Sequence, residues 1–596
     1  MTGFLGFAPI YINGLLAIFF VFVLPGLVLV RAFDIPDFPQ RWLVIILGSL
    51  TANHLLVTLI AAVRLDPLTT YRTVAAALIL TLIIAAVMPR TGAGTPACRG
   101  ESIVQLSDIG WLLLSLLVLG IAYINIWKHG VPAVFDDTDL SASWNKWSLI
   151  WSEGKFPIYS LGYPQFVPTI WAATYIFIGS LEQYFSFYIY IVLLIIPPAL
   201  NAVNLGRVSW WHPLLPGLVF LWFMAEAQGQ WLRYTLQEGF PDWVAAIFGF
   251  SGAVLFVATP LQHRLGRNGI VAALTSLCFL SIAAATKPMY GLLAIAVLMA
   301  VCADAARYLH PKDRNRLVIA AIGLVAIFVC AYALNYSHLA VRSMPYYPVS
   351  TMSERFFRAA TLLNDTFTIP FKLLALAGFV MSPFLRRIRW LALPMAIGFF
   401  VWANTAGYDL RNILGLLLIS AFIPLYAAAN AWLDTGLALN GRRWIVPDSA
   451  VAAGWAVLSV GLTLTLALND KELKERFASD QFSKGPGVEI NRSVEQLLAR
   501  GCTIFTATSF ILTISKFQPF QDQMQFFVFN EPMNAAVLDR LSKTEGCTGL
   551  LFPNPSHPSI LEVVAANTEA RGLRKAVEGN GFQLLVSSPK AGRSSD

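Results

Sequence analysis

Charge is scarce in this sequence of 596 residues. Asp, Glu, Lys and Arg make up 13% of it and hydrophobic residues 57%, whereas about 25% of the residues in a soluble domain are charged. This balance excludes an ordinary soluble enzyme. The net charge of +8 is scattered over short segments between apolar runs. Because it covers no single polar face, it does not indicate a nucleic-acid partner.

Cysteine is also scarce, and the common catalytic signatures are absent. The six cysteines have no metal-ligand spacing. The sequence contains no Walker-type Gly-rich lysine loop, no His-Glu-x-x-His pair and no Gly-x-Ser-x-Gly elbow. These absences exclude a P-loop nucleotidase, a zincin protease and an α/β-hydrolase.

The sequence does contain a series of apolar runs, each long enough to cross a hydrocarbon core of about 30 Å as a helix. They predict an α-helical polytopic membrane protein. The run at 166–180 is short, so we expect a helix lying in the membrane interface, with a genuine span and a missed partner as the alternative. The predicted spans, about fourteen in number, cover residues 9–30, 42–63, 73–88, 109–126, 184–203, 213–225, 243–259, 270–286, 289–303, 317–335, 373–385, 389–405, 411–432 and 450–468.

Basic residues fall on alternate connections between these spans. Arg264 to Arg267, Arg307 to Arg316, Arg386 to Arg389 and Arg442 to Arg443 would all lie on one membrane side, which the positive-inside rule makes cytoplasmic. The segments predicted to face outward are then 127–183, 226–242, 336–372, 406–411 and everything after 469.

Polar composition begins after Asn469 and predicts a domain boundary. Residues 1–468 form the predicted transmembrane domain and 469–596 a small extracytoplasmic α/β domain. We expect strands at 502–507, 524–529 and 549–552 and helices at 488–499, 532–543 and 558–578. Cys502 and Cys547 would form a disulfide if this domain is extracytoplasmic; two free thiols are the alternative.

The most unusual polar segment lies in the predicted outward loop 127–183. Asp136, Asp137 and Asp139 precede three tryptophans, 144, 147 and 151, whose spacing places them on one helix stripe. One interpretation is an interfacial helix with solvated acids before it. The other is a carboxylate that acts as a general base at the membrane surface.

The acidic pair, followed by Tyr163-Pro-Gln-Phe, resembles the polyprenyl-phosphate-sugar-dependent glycosyltransferases of the GT-C superfamily. Protein O-mannosyltransferases and lipid A aminoarabinose transferases are examples of that superfamily. Two departures are Gln165, where many members have a second proline, and Asp137, where better-known members have glutamate. The resemblance implies a GT-C-like fold and an inverting transfer of a sugar to an acceptor hydroxyl, with Asp136 or Asp137 as base.

The same resemblance implies partners and a location. The donor would be a polyprenyl-phosphate-linked sugar, and the acceptor a glycan, a lipid or a protein. The enzyme would be a multi-pass protein of the cytoplasmic (inner) membrane, with its active site on the periplasmic or extracellular side. The sequence lacks a nucleotide-sugar domain, which also favours a lipid-linked donor. Substrate-binding roles would fall to Asp139, Trp144, Lys146, Tyr163 and Gln165.

Later outward segments supply further candidates for substrate binding. Asp242 resembles an outward acidic element of the superfamily, and a helix N-cap is the alternative. Lys287 would bind a phosphate group through its ammonium. The alternative is a snorkelling lysine, whose stem lies along apolar surface while its ammonium reaches water. Arg411 resembles the late arginine near the donor phosphate, and a structural ion pair with Asp409 is the alternative.

The long predicted loop 336–372, which contains Tyr347, is a candidate lid over the lipid carrier. No cofactor is firmly implied. Clustered carboxylates including Asp139 would suit Mg²⁺ or Mn²⁺, although related enzymes work without metal. Two other functions stay open at this point: an oligosaccharide polymerase or ligase with a lipid-diphosphate donor, and a proton-coupled transporter or flippase.

Overall fold

The protein is a multi-pass α-helical membrane protein with a small C-terminal α/β unit. The computed structural model describes residues 2–33, 35, 37–87, 101–124, 135, 140–158, 160, 162–179, 183–226, 230–259, 267–339, 351–405, 409–432, 443–447, 486–508, 511, 517, 520, 522–526, 546–553 and 572–587.

The helices are named in chain order. They are α1 (Thr2–Phe22), α2 (Leu24–Phe33), α3 (Phe38–Val63), α4 (Pro67–Val87), α5 (Leu106–Ile124), α6 (Asn145–Ser152), α7 (Phe166–Ile178), α8 (Gln183–Gly206), α9 (Leu214–Glu226), α10 (Gln230–Glu238), α11 (Pro241–Ala258), α12 (Arg267–Ala284), α13 (Gly291–Tyr308), α14 (Pro311–Ser337), α15 (Met352–Thr366), α16 (Ile369–Met381), α17 (Arg389–Thr405), α18 (Leu414–Trp432) and α19 (Val488–Ala499).

Strands and short turns complete the described elements. The strands are β1 (Glu101–Gln105), β2 (Arg443–Pro447), β3 (Thr503–Thr506), β4 (Met524–Phe526), β5 (Thr548–Pro553), β6 (Leu573–Gly579) and β7 (Phe582–Ser587). A π-helical turn covers Leu140–Trp144, and 3₁₀ turns cover Pro288–Tyr290, Ser382–Phe384 and Leu410–Ile413.

Nine helices of the described part are long and apolar enough to cross a membrane. Four further predicted spans coincide with shorter helices, α9, α12, α16 and α17. The predicted span at 450–468 lies outside the described residues. The nine long segments are Ile12–Arg31, Phe38–Val63, Pro67–Ala85, Leu106–Tyr123, Gln183–Gly206, Pro241–Ala258, Pro288–Tyr308, Pro311–Ser337 and Leu410–Asn430.

An ion-pair cluster ties four helices together at one end of the bundle. Arg207, just after α8, lies 2.9 Å from Asp37 before α3 and 2.5 Å from Asp108 in the first turn of α5. Asn268, at the start of α12, donates to Asp37 at 2.8 Å. Arg387 lies at this end too, 3.9 Å from Asp304 near the end of α13. The described parts of the basic segments that connect the predicted spans therefore lie at one end of the bundle. The sequence predicts this, because its basic residues fall on alternate connections.

The short run at 166–180 forms α7, which is a helix of 13 residues. It lies at the opposite end of the bundle from the Arg207 cluster: the backbone N–H of Phe166 donates to the carbonyl of Ala285, just after α12, at 3.0 Å. Nearly all of α7 is buried, against α1, α3, α6 and α8. Its apolar side chains therefore pack against neighbouring helices, and its depth relative to the membrane interface stays a prediction.

The predicted loop 336–372 is largely helical where it is described. Helix α14 continues to Ser337, and α15 occupies Met352–Thr366. A capping box starts α15: the Thr351 side chain accepts from the backbone N–H of Glu354, and the Glu354 side chain accepts from that of Thr351. Residues 340–350, which include Tyr347, lie outside the described residues.

The C-terminal unit is a five-stranded sheet in the order β4-β3-β5-β7-β6. Strands β4, β3 and β5 run parallel, and β7 is antiparallel to both β5 and β6. Cys502 and Cys547, just before β3 and β5, form a disulfide. The predicted helix 488–499 is confirmed as α19.

The predicted helix at 558–578 is wrong in its last part, which is strand β6. Asn580 and Gly581 both have positive φ angles, 47° and 75°. That is the backbone of a two-residue hairpin turn, and Asn-Gly is its most favourable sequence. The hairpin signal therefore outweighs the helical spacing of the apolar residues before it.

Candidate active site

A buried ion pair joins α11 to the turn after α12. The Lys287 Nζ lies 2.7 Å from Asp242 Oδ1, and the two side chains are only 9% and 2% exposed. Asp242 is the second residue of α11, and Lys287 is held in extended backbone between α12 and the 3₁₀ turn at Pro288. Because α11 and α12 pack as neighbours, their ends bring these residues together.

Lys287 remains a cation in this setting. Burial by itself lowers the pKa of its ammonium, but Asp242 and Tyr163 raise it by more, so the net shift is upward. The N-cap alternative for Asp242 is wrong. Phe240 occupies the N-cap position of α11, and the Asp242 side chain contacts Lys287 instead.

A second ion pair lies at the start of α18. Arg411 Nη2 and Nε both lie 2.6 Å from Asp409 Oδ2. Asp409 Oδ1 accepts from the backbone N–H of Arg411 at 2.9 Å, which caps the 3₁₀ turn Leu410–Ile413. The predicted Asp409–Arg411 pair is therefore present. It fixes the orientation of the guanidinium.

The two cations belong to one cluster. Lys287 Nζ lies 3.4 Å from the side-chain oxygen of Asn412, the residue after Arg411. The Arg411 guanidinium carbon lies 4.5 Å from the ring centre of Phe240, two residues before Asp242. Segments that are far apart in sequence therefore place two positive groups at the same end of the bundle.

Aromatic rings cover Lys287 from the side of the predicted outward loop. Its Nζ lies 5.4 Å from the ring centre of Trp144 and 5.2 Å from that of Tyr163. The rings of Trp144 and Trp147 are 5.1 Å apart, and Trp147 stacks on Tyr163 at 5.9 Å. The structure therefore brings the predicted residues Trp144, Tyr163, Asp242 and Lys287 together.

Gln165 and Lys146 lie beside this cluster in supporting positions. The Gln165 side chain accepts from Trp151 Nε1 at 3.1 Å and donates to the carbonyl of Tyr163 at 2.8 Å, so it shapes the Tyr163 turn. Lys146 donates to the backbone carbonyl of Met524 in the C-terminal unit. Their described contacts are with protein.

The acidic residues Asp136, Asp137 and Asp139 lie outside the described residues, but their neighbour Phe135 is fully buried. Its backbone N–H donates to Gln183 Oε1 at 2.8 Å, and its ring stacks on Trp171 at 4.4 Å. A Cβ placed on Gly239 would lie 3.2 Å from the Phe135 ring. Phe135 is therefore anchored beside the segment that leads to Phe240 and Asp242.

Sequence reasoning missed Phe135, Phe240 and Asn412 as parts of the cluster. Each is a direct neighbour of a predicted residue or lies two positions from one, so proximity to a motif was the available signal. An apolar ring or an amide has no chemistry that marks it from sequence alone. In the described part of the chain no group of three or more His, Cys, Asp or Glu side chains could hold a metal ion.

The structure is similar to two crystal structures of ArnT from Cupriavidus metallidurans. One is of the apo state and the other is bound to undecaprenyl phosphate. Both have a TM-score of 0.41 and 12% sequence identity and cover 81% of this chain, with 99% and 98% of ArnT covered. No family model and no curated protein matches the sequence. A likeness at this TM-score carries no information about the reaction, which has to be inferred from the side chains.

Proposed function

We propose that the protein is a membrane glycosyltransferase that moves a sugar from a polyprenyl-phosphate donor to an acceptor hydroxyl. One observation carries the proposal: Lys287 and Arg411 lie in one cluster, at the end of the bundle where Phe135, the residue before Asp136 in the sequence, is buried. Two cations held in fixed positions at this end of the bundle suit a reaction in which a phosphate leaves.

In the proposed reaction Asp136 or Asp137 removes the proton from the acceptor hydroxyl. The acceptor oxygen then attacks the anomeric carbon from the face opposite the phosphate, and the bond from that carbon to the phosphate oxygen breaks. The configuration is inverted, and polyprenyl phosphate departs with the electron pair. The base assists the attack by removing the proton of the acceptor hydroxyl. The cations stabilise the negative charge on the departing phosphate.

Arg411 and Lys287 would bind the donor phosphate in different ways. A guanidinium offers several donors in a plane, and Asp409 holds the one on Arg411 in a fixed orientation. Lys287 contributes a compact charge that Asp242 orients. The two carboxylates balance the cations when no donor is bound, so the cluster can stay buried without a phosphate.

We place this site, as a proposal, on the periplasmic or extracellular face of the inner membrane, opposite the basic connections. No observation favours a transporter, because the ion pairs in the described residues lie at helix ends and in polar segments instead of at mid-span. A donor with a diphosphate linkage is left as an outcome of the experiment.

The test uses the purified full-length protein in lipid nanodiscs. Radiolabelled polyprenyl-phosphate sugars and their diphosphate counterparts are supplied with membrane extract as the source of acceptors. Asp136→Asn and Asp137→Asn are compared with Asp365→Asn, an exposed carboxylate on α15. Loss of the base lowers transfer by about 10²- to 10⁴-fold. Full transfer by both single variants and by the double variant would remove the proposed base.

A further inference from the structure

Trp144, at the end of the π-helical turn, and the first residues of α6 contact three different neighbours. Trp144 and Trp147 face Lys287 and Tyr163. Asn145 accepts a hydrogen bond from the Tyr175 hydroxyl of α7 at 2.7 Å. Lys146, about 200° around the helix from Trp144, donates to the carbonyl of Met524. The indoles of the candidate site and the contact with the C-terminal unit are thus on different sides of one short helical segment.

The Lys146 contact is built into the interior of the protein. Lys146 is 7% exposed, and Met524 is fully buried at the start of the edge strand β4. A buried ammonium is costly unless it is paired or hydrogen-bonded, so a random approach of two surfaces would not place it there. The acceptor of this charge-assisted hydrogen bond is a backbone carbonyl. The bond therefore depends on the position of strand β4 and not on the side chains of that strand.

A second contact fixes the same strand against the other end of α6. Lys155, three residues after α6, lies 3.2 Å from Asp522 and 2.9 Å from Glu153. Asp522 is two residues before Met524. The side chains of Lys155 and Asp522 are about half exposed, so their ion pair contributes more to the alignment of the two segments than to stability. Together, Lys146 and Lys155 hold the two ends of α6 to one segment of the C-terminal unit.

We propose that the C-terminal unit is part of the transfer site, docked on α6 through Lys146 and Lys155, and that Lys146 is a positioning residue for Trp144 and Trp147. The docking itself does not depend on the proposed function; only its consequence for transfer does. The α7 contacts hold α6 on one side, and β4 holds it on the other. Without the docked strand the indoles lose their fixed position over Lys287.

The docking is measured by a chemical cross-link on the full-length protein in nanodiscs. A water-soluble carbodiimide converts the Asp522 carboxylate to an O-acylisourea, and the Lys155 amine attacks its carbonyl carbon, so that an amide forms and the urea derived from the carbodiimide departs. Mass spectrometry quantifies the amide. Lys146→Met keeps the length of the side chain and removes the charge. We expect it to lower the cross-link yield by about fivefold or more. Lys575→Met, on the far edge strand β6, is the matched control.

The positioning role has two further readouts. Hydrogen exchange of the 140–152 segment is expected to rise in Lys146→Met, and the turnover number for sugar transfer to fall by about tenfold, while Lys146→Arg restores both in part. Absence of the Lys155–Asp522 amide in the wild-type protein would overturn the docking, and an unchanged yield in Lys146→Met would overturn the contribution of Lys146 to it. A lower yield with unchanged exchange and unchanged transfer would overturn the positioning role.

A failure of the proposed function looks different from a failure of this inference. If the wild-type protein transfers no sugar from any polyprenyl-linked donor, the cross-link and the exchange of 140–152 still test the docking. If transfer is found and Lys146→Met leaves it unaltered, the glycosyltransferase stands and the positioning role of Lys146 is wrong.

Discussion

Lys287 and Asp242 form an ion pair with almost no exposure to solvent, at the point where α11 begins and α12 has just ended. The pair closes the end of that helical hairpin and presents its cation to Trp144, Tyr163 and Asn412. It therefore has both a structural and a proposed functional role. The two roles can be separated by experiment.

Removing one partner of this pair is expected to be costly. Lys287→Met or Asp242→Leu should destabilise the protein by about 3–5 kcal/mol, because each leaves an uncompensated buried charge. The double variant Lys287→Met with Asp242→Leu should cost less than either single change, since no charge is left unpaired. Thermal unfolding in detergent measures this, with the exposed Lys312→Met as control. Additive losses in the double variant would contradict a tight pair.

Arg411 is expected to act through its geometry as well as its charge. Arg411→Lys should weaken donor binding by about tenfold and Arg411→Ala by about a hundredfold, because lysine keeps a charge but cannot reproduce the planar set of donors. Equilibrium binding of a fluorescent polyprenyl phosphate measures both. Arg358→Ala, on the exposed face of α15, controls for a general loss of positive charge. Equal affinity in all four proteins would refute a phosphate role for Arg411.

Gly239 is expected to tolerate no side chain. Its φ angle is +97°, and an added Cβ would lie 3.0 Å from the Phe187 ring and 3.2 Å from the Phe135 ring. Gly239→Ala should cost about 1–3 kcal/mol in backbone strain, and should displace Phe135, the neighbour of the proposed base. Sugar transfer should fall more than the melting temperature alone would explain. Gly501→Ala also has a positive φ but open space around it, and provides the control.

The disulfide is expected to stabilise the C-terminal unit. Cys502 and Cys547 close a loop with a sequence separation of 45, which corresponds to about 4 kcal/mol by loop-closure entropy. Cys502→Ser with Cys547→Ser should therefore make this unit sensitive to protease at lower urea concentrations. Cys330→Ser removes an exposed free thiol and should change nothing. Equal resistance of the double variant and the wild type would show that the sheet needs no cross-link.

Local signals in the sequence predicted most of the helices correctly. A span is a property of composition over about 20 residues, and each of the predicted spans up to residue 432 coincides with a described helix. The sequence did not show that protein covers α7, because no local signal tells whether protein or lipid covers an apolar helix. The end of 558–578 failed because apolar spacing was given more weight than the Asn580-Gly581 turn.

For the candidate site, the sequence supplied residue types and the fold supplied their neighbours. Four residues had both a structural and a functional interpretation from the sequence: Asp242, Lys287, Asp409 and Arg411. The ion pairs give each of these residues a structural role, and the contacts that satisfy each charge also orient it. Lys146 was grouped with the substrate-binding residues because of its position in the chain, and the structure adds a contact with the backbone carbonyl of Met524.

By itself the sequence determined a membrane-spanning helical bundle, the alternation of its basic connections and the change to a polar C-terminal unit, because hydropathy and charge act over short stretches of chain. Only the tertiary structure decided that Lys287 meets Asn412 across 125 positions, and that β4 lies against α6. Such contacts depend on which helices pack together. Helix packing is set by the shape of whole helix surfaces and not by any local sequence pattern.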